Sequence, residues 1–292
     1  MSYPEDLRQL VDEHLATIRF GHGAGPDGAD TTGLDEAMRY SLLAGGKRIR
    51  PVLCLATAKA IGQPVEDFLA AAAALEMVHT YSLVHDDLPA MDDDDLRRGK
   101  PTSHVKYGEA VAILAGDGLF AEAIGVLAAA PAPPDRVIEA VGLLCAATGV
   151  EGMVGGQYID VSAQSLDAEG LRHLHSLKTG RLIRASVDVT LALGGVSGVS
   201  REPYDRFATS IGLLFQIVDD ILDVTGSDEE LGKPHGSDER HGKVTYVSLY
   251  GLERARALAT ESHDQALAAL AGAGGNTEDL KRVADYIYSR EQ

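Results

Sequence analysis

Asp86-Asp87-Leu88-Pro89-Ala90-Met91-Asp92-Asp93-Asp94-Asp95-Leu96-Arg97-Arg98-Gly99 closes one apolar helical stretch, and Gln216-Ile217-Val218-Asp219-Asp220-Ile221-Leu222-Asp223 closes another. Each places several carboxylates at the end of a greasy helix. Carboxylates held this close repel, and their pKa values rise unless a cation joins them. Mg²⁺ suits such clustered oxygen donors, because it takes one or two carboxylates and completes its shell on water and substrate phosphates. Two clusters in one chain predict a polyphosphate gripped from both sides through bridging Mg²⁺, with Mn²⁺ as a possible substitute.

Outward from the clusters, Ala, Leu, Glu and Arg dominate and Val/Ile/Thr alternation is scarce, so almost the whole chain reads as helix. Breaks fall at Gly21–Gly33, Gly45-Gly46, Gly62–Pro64, Pro89–Pro101, Ala130–Pro134, Gly194–Pro203, Gly226–Gly242 and Gly272–Gly275. No fixed repeat and no Pro/Ser-rich linker divides the sequence. The expected architecture is all-α, a single domain over residues 1–292, with its site in the bundle core between helices. At about 100° per residue, His79, Ser82 and Asp86 share a helix face, as do Gln216, Asp219, Asp220 and Asp223. Gln157 pairs with Asp160 by the same measure. A solvated helix also shows a polar stripe, but such stripes usually mix charge signs. The Gln216–Asp223 stripe is wholly acid plus amide.

The chain has 292 residues and a net charge of -18, which argues against nucleic acid as a partner. Cys54 and Cys145 both lie in apolar runs and read as buried free thiols, not as a disulfide framework. Met1-Ser-Tyr-Pro-Glu-Asp has neither the basic nor the apolar region of a signal peptide. Asp117, Glu122, His79 and His85 interrupt the apolar stretches, so none is expected to reach the run of about 18 residues that spans a bilayer. A cytoplasmic protein without stable membrane insertion is the expectation.

Four Asp in a row are, by themselves, usually a solvated loop. Here Asp86 and Asp87 end a helix, Pro89 breaks it, Asp92 returns after one tight excursion, and Arg97-Arg98 follow. Arginine forks match phosphate oxygens, so the order suits a metal-bound phosphate with guanidinium backing. Gly45-Gly46-Lys47-Arg48-Ile49-Arg50-Pro51 reads either as a glycine helix stop with a basic turn or as a second phosphate grip. Lys47 and Arg50, three residues apart, are expected to meet one diphosphate. His79 lies seven residues before Asp86 on the same face. Lys178-Thr179, Lys233 and Lys243 are weaker signals alone. Asp228–His241, rich in glycine and charge, reads as a loop able to close over a site.

With these residues in view, the sequence resembles the trans-isoprenyl diphosphate synthases, or polyprenyl synthetases. Asp86-Asp87-x₄-Asp92 with Leu-Arg-Arg-Gly resembles that family's first aspartate-rich motif, and Phe215-Gln-Ile-Val-Asp219-Asp220-Ile-Leu-Asp223 its second. Gly45–Pro51 and Leu231-Gly232-Lys233-Pro234 resemble two more, and all stand in the family's order from about Leu34 onward. The resemblance implies the isoprenoid synthase fold and usually a homodimer. It implies that Asp86, Asp87 and Asp92 bind Mg²⁺ on an allylic diphosphate, with Asp219, Asp220 and Asp223 opposite. Arg97, Lys178, Thr179, Gln216, Lys233 and Lys243 would surround that substrate. Lys47, Arg50, His79 and Arg98 would grip isopentenyl diphosphate.

The implied chemistry needs no side-chain nucleophile or base. Allylic C–O ionisation yields a cation that the double bond of isopentenyl diphosphate attacks, and a proton is then lost. Tyr81, five residues before Asp86 and about 7.5 Å along a helix, is expected to floor the chain tunnel. An aromatic there with Pro89-Ala90 resembles bacterial farnesyl diphosphate synthases, which favours a C15 product over C20. An HD-type phosphohydrolase would use His85-Asp86 but gives no role to Asp219–Asp223. A class I terpene cyclase would have no second diphosphate pocket. A non-catalytic prenyl synthase subunit should have lost one acidic cluster, and both are present.

Overall fold

The computed structural model describes residues 3–21, 30–162, 166–225 and 244–290. It is all-α apart from a two-residue antiparallel pair, β1 (Leu96–Arg97) and β2 (Lys100–Pro101), in which Leu96 faces Pro101. The helices are α1 (Glu5–Thr17), α2 (Thr32–Leu42), α3 (Ile49–Ala60), α4 (Leu69–Asp86), α5 (Ser103–Tyr107), α6 (Glu109–Ala128) and α7 (Pro134–Thr148). There follow α8 (Met153–Ser162), α9 (Ala168–His175), a π turn (Ser176–Gly180), α10 (Arg181–Gly194) and α11 (Glu202–Thr225). After the gap come α12 (Tyr246–Tyr250), α13 (Leu252–Ala271) and α14 (Glu278–Ser289).

The central helices α3, α4 and α10 are apolar nearly all round, which is the pattern of a helix buried on every side. Around them α6 packs along α4, α7 along α10, and α13 along α11. One contiguous core of buried side chains runs from Tyr3 to Ile287. Both acidic clusters sit where a core helix meets solvent: Asp86 ends α4, and Asp219–Asp223 lie in the last turns of α11.

The glycine and proline breaks before α3, α7 and α14 are as expected. The break between α7 and α8 is an addition. A side chain at Gly152 would bring its Cβ to 2.1 Å from the carbonyl oxygen of Ala147, so glycine alone allows the tight reversal. Two expectations fail. Glu109–Ala128 and the stretch Pro134–Ser162 are, by length and composition, apolar enough to cross a bilayer. Asp117 and Glu122 are too few to offset so many Ala, Leu, Ile and Val. The buried stripe Ala112, Ala115, Leu119, Ala123 and Leu127 of α6 recurs at helical spacing and faces the bundle, whereas Ile113 and Leu114 are exposed. Cys54 is buried as expected, but Cys145 is exposed. An apolar neighbourhood in sequence says nothing about which side of α7 a residue takes.

Candidate active site

A cavity of about 680 Å³ opens between α4, α8, the π turn and α11. Asp86 and Asp219 stand on its walls, with Arg97, Lys178 and Thr179. Arg50, His79 and Arg98 line it as well, and so does Tyr81. The structure therefore brings together most of the expected site.

The first cluster divides by helix angle. Asp86 faces the cavity. Asp87, about 100° further round, is buried and receives Arg97 Nε at 2.6 Å, while a terminal nitrogen of Arg97 reaches Asp94 at 3.2 Å. Asp87 thus orients Arg97. Pro89 ends the helix, and the loop returns so that the Asp92 amide donates to the Asp86 carbonyl at 2.9 Å. The Asp86 carboxyl is pushed up to about 6, first by burial and also by Asp92 and Asp87, with Lys178 and Arg97 opposing.

The second cluster also divides. Asp219 receives Arg290 Nη1 at 3.0 Å. Asp220 is buried and accepts the Gln216 side-chain amide and the Tyr246 backbone amide, each at 2.7 Å. Gln216 and Asp220 therefore turn toward α12, and the shared face expected of them with Asp219 splits. Asp223 is buried behind them.

The basic turn separates into three environments. Gly45 and Gly46 have φ of 93° and 114°, which admits little but glycine, and a Cβ at Gly46 would lie 2.6 Å from the Arg98 guanidinium carbon. Arg98 uses that room to donate to the Gly45 carbonyl. Arg48, left-handed at φ 54°, is buried against Glu76 at 2.6 Å and Asp12 at 2.9 Å. Lys47 precedes α3, is exposed, and lies over the Tyr286 ring at 5.4 Å at the margin of the site, whereas Arg50 lines the cavity itself. Arg50 is buried, and its Nε has no hydrogen-bond partner among the described residues. Its guanidinium stacks over Phe215 at 5.8 Å, as does that of Arg290.

His79 is held well below its ordinary pKa by burial and by the Arg50, Arg98, Arg97 and Arg48 charges. It is a neutral donor in a cationic corner. Lys178 projects from the π turn to Asp160 at 2.6 Å. Gly156 of α8 lets that turn approach, since a Cβ there would lie 2.3 Å from the Lys178 amide nitrogen. The Tyr81 ring is tilted on Phe120 at 5.3 Å and edge-on to His85 at 5.8 Å. Lys233, Lys243 and the loop Asp228–His241 lie outside the described residues.

Two groups at the site, one lining the cavity and one on Asp219, carried no functional signal in the sequence. Gln157, whose pairing with Asp160 was noted without a role, lines the cavity with both amide atoms unpartnered among the described residues. Arg290 carried no local signal at all.

A helical bundle whose central cavity sets carboxylates on facing walls beside a cationic corner is the isoprenoid synthase fold. It superposes on the Helicobacter pylori geranyltransferase complexed with magnesium and isoprenyl diphosphate with a TM-score of 0.84 at 32% identity, covering 99% of this chain and 98% of that one. The chain belongs to the polyprenyl synthetase family, whose model matches residues 31–287. It is 45% identical to farnesyl diphosphate synthase of Escherichia coli (strain K12) over 100% of both chains. It is 50% identical to the chloroplastic geranylgeranyl pyrophosphate synthase of Capsicum annuum, covering 88% of this chain and 72% of that protein. It is a prenyltransferase of the trans-prenyl diphosphate synthase class.

Proposed function

We propose that the chain condenses isopentenyl diphosphate with dimethylallyl or geranyl diphosphate, with Mg²⁺, to release farnesyl diphosphate. The observation carrying the C15 length is Tyr81. Its ring is 8% exposed, stands in the cavity wall five residues before Asp86, and is backed by Phe120.

The donor set suits Mg²⁺. Among the described residues no three acid or imidazole groups converge. An ion that takes one or two carboxylates and finishes its shell on phosphate oxygens fits such walls. Asp86 and Asp92 would hold such an ion on one wall and Asp219 another on the opposite wall, with Asp87, Asp220 and Asp223 supporting. Bound there, Mg²⁺ supplies positive charge to the departing diphosphate.

Arg97, fixed by Asp87, and Lys178, fixed by Asp160, take up charge as the allylic C–O bond breaks and its electron pair leaves with the diphosphate. Thr179 borders the same headgroup, and Gln216 supports it by holding Asp220. Arg50, whose buried Nε lacks a partner among the described residues, holds isopentenyl diphosphate with Arg98, neutral His79 and Lys47. The double bond of that substrate attacks the allylic carbon, and the proton lost from the adjacent carbon goes to the released diphosphate. The apolar wall keeps water from the cation.

The 50% identity to the Capsicum annuum enzyme favours a second reading, a C20 product. Chromatography of dephosphorylated products from labelled isopentenyl diphosphate, with each allylic primer, decides. Expected are a C15 product, no turnover in EDTA, return with Mg²⁺ or Mn²⁺, and longer products from Tyr81→Ala at similar incorporation. A C20 product from the unaltered chain would replace the C15 reading, and turnover in chelator would end the metal reading.

The contiguous core supports one domain over 1–292. Exposed Ile113 and Leu114 on α6 and Ile138 on α7 support a homodimer that covers them. A cytoplasmic site of action is part of the same reading, supported by the match over 100% of both chains to the Escherichia coli enzyme.

A further inference from the structure

A second cavity, about 250 Å³, shares the π turn with the first. Arg172, Arg181 and Arg184 line it, on a chain of net charge -18. Arg184 is paired with Asp188 at 3.0 Å and lies 3.5 Å from Asp205. The Arg172 and Arg181 side chains form no ion pair or hydrogen bond among the described residues, and both residues are exposed at the rim of the cavity. Tyr246 closes the wall. It is 2% exposed, its backbone is committed to Asp220, and its hydroxyl has no partner among the described residues. The neighbouring His175 ring, 5.5 Å away, carries a buried Nδ1 with no partner among the described residues. A buried hydroxyl without a partner costs stability, so a cavity that keeps one in a lining with three arginines calls for an oxygen-rich anion.

We propose that this cavity is an additional, metal-independent diphosphate site, separate from the two headgroup sites of the reaction cavity, formed by Arg172, Arg181 and Arg184. Guanidinium forks match phosphate oxygens in pairs. No described carboxylate is among its lining groups, so no cation is needed to admit the ligand. At about 250 Å³ against about 680 Å³ for the reaction cavity, it takes a headgroup with at most a short chain. Inorganic diphosphate and a C5 prenyl diphosphate share that chemistry. The wall also includes Gln216, which holds Asp220, so the site abuts the second acidic cluster from behind.

The chain has no tryptophan, so Leu213→Trp, on this wall, supplies a single emission. Titration with inorganic diphosphate in EDTA should give a saturable change. Arg172→Gln and Arg181→Gln should each weaken it about tenfold, with Mg²⁺-dependent turnover unchanged, and Arg50→Ala should leave it intact. Equilibrium dialysis of labelled diphosphate against the chain without the tryptophan gives the same readout free of the probe. Loss of one site per chain in the double arginine variant supports the proposal. Full binding in that variant, or loss only with Arg50→Ala, overturns it. Isopentenyl diphosphate in a parallel titration identifies the source: tighter binding than inorganic diphosphate marks a substrate-derived ligand, weaker binding the released product. Turnover measured alongside separates failure of this site from failure of the synthase reading.

Discussion

Arg48 and Arg50 stand two residues apart and meet opposite fates. Arg48 is spent on Glu76, Asp12 and the Leu42 carbonyl, whereas Arg50 keeps an unpartnered nitrogen toward the cavity. Both Arg48 and Glu76 side chains are 2% exposed, so removing one strands the other in a low-dielectric interior. Glu76→Ala should cost about 3–5 kcal/mol, read as a fall in Tm by calorimetry; a loss within error of zero would mean that Asp12 alone suffices. His175 offers a pH test. Burial holds its imidazole at about 4, below the ordinary 6.5, with Lys178 lowering it further and Asp160 opposing. A depressed histidine contributes stability that is full above 6.5 and is lost as pH falls through about 4. The slope is about 1.4 kcal/mol per unit of depression. His175→Gln should flatten the decline of Tm between those pH values; an unchanged decline would assign it to carboxylates alone. Single residues were the least legible scale in the sequence. Asp86 and Asp219 could be picked out because helix ends expose them, but nothing local separates Arg48 from Arg50.

At the scale of elements, the apolar α4 and α11 ending in acids were readable, because burial on all sides and a polar end leave a plain pattern. What failed was the treatment of a helix face as isolated. Gln216, Asp219 and Asp220 share a face on a bare helix, yet α12 backs onto α11 and takes Asp220 for the Tyr246 amide. The π turn was likewise invisible, since an extra residue in a helix leaves no composition signal. It depends on Gly156. Ala there would press a Cβ on Lys178 backbone atoms, which cannot swing aside as a side-chain tip can. On the proposed role of Lys178, Gly156→Ala should lower kcat by roughly 10²-fold, as a displacement of about 1 Å can, with circular dichroism unchanged. Gly125→Ala is the control, because nothing lies within 4 Å of its added Cβ. Equal rates in the two variants would remove Gly156 from the argument.

At the scale of the molecule, the order of motifs and the all-helical pattern carried the fold, while long-range encounters stayed hidden. Arg290 meets Asp219 across 71 positions, and no periodicity reports such a meeting. The apolar excess of α6 and α7 was likewise misjudged, because the sequence shows its length but not which side stays bare. If a second copy covers that side, Leu114→Glu should convert the dimer to a monomer in sedimentation velocity. A dimer that persists would place the interface elsewhere. The thiols give the same side a chemical address. Cys54 is buried beside the Thr190 hydroxyl at 3.1 Å, and burial pushes it up to about 12. Cys145 is exposed and follows Ile138 by seven positions, two turns along the same stripe of α7. Thiol-alkylating reagents therefore meet one exposed thiol on this chain, and the pace at which they reach it is a clock for how often that stripe lies open.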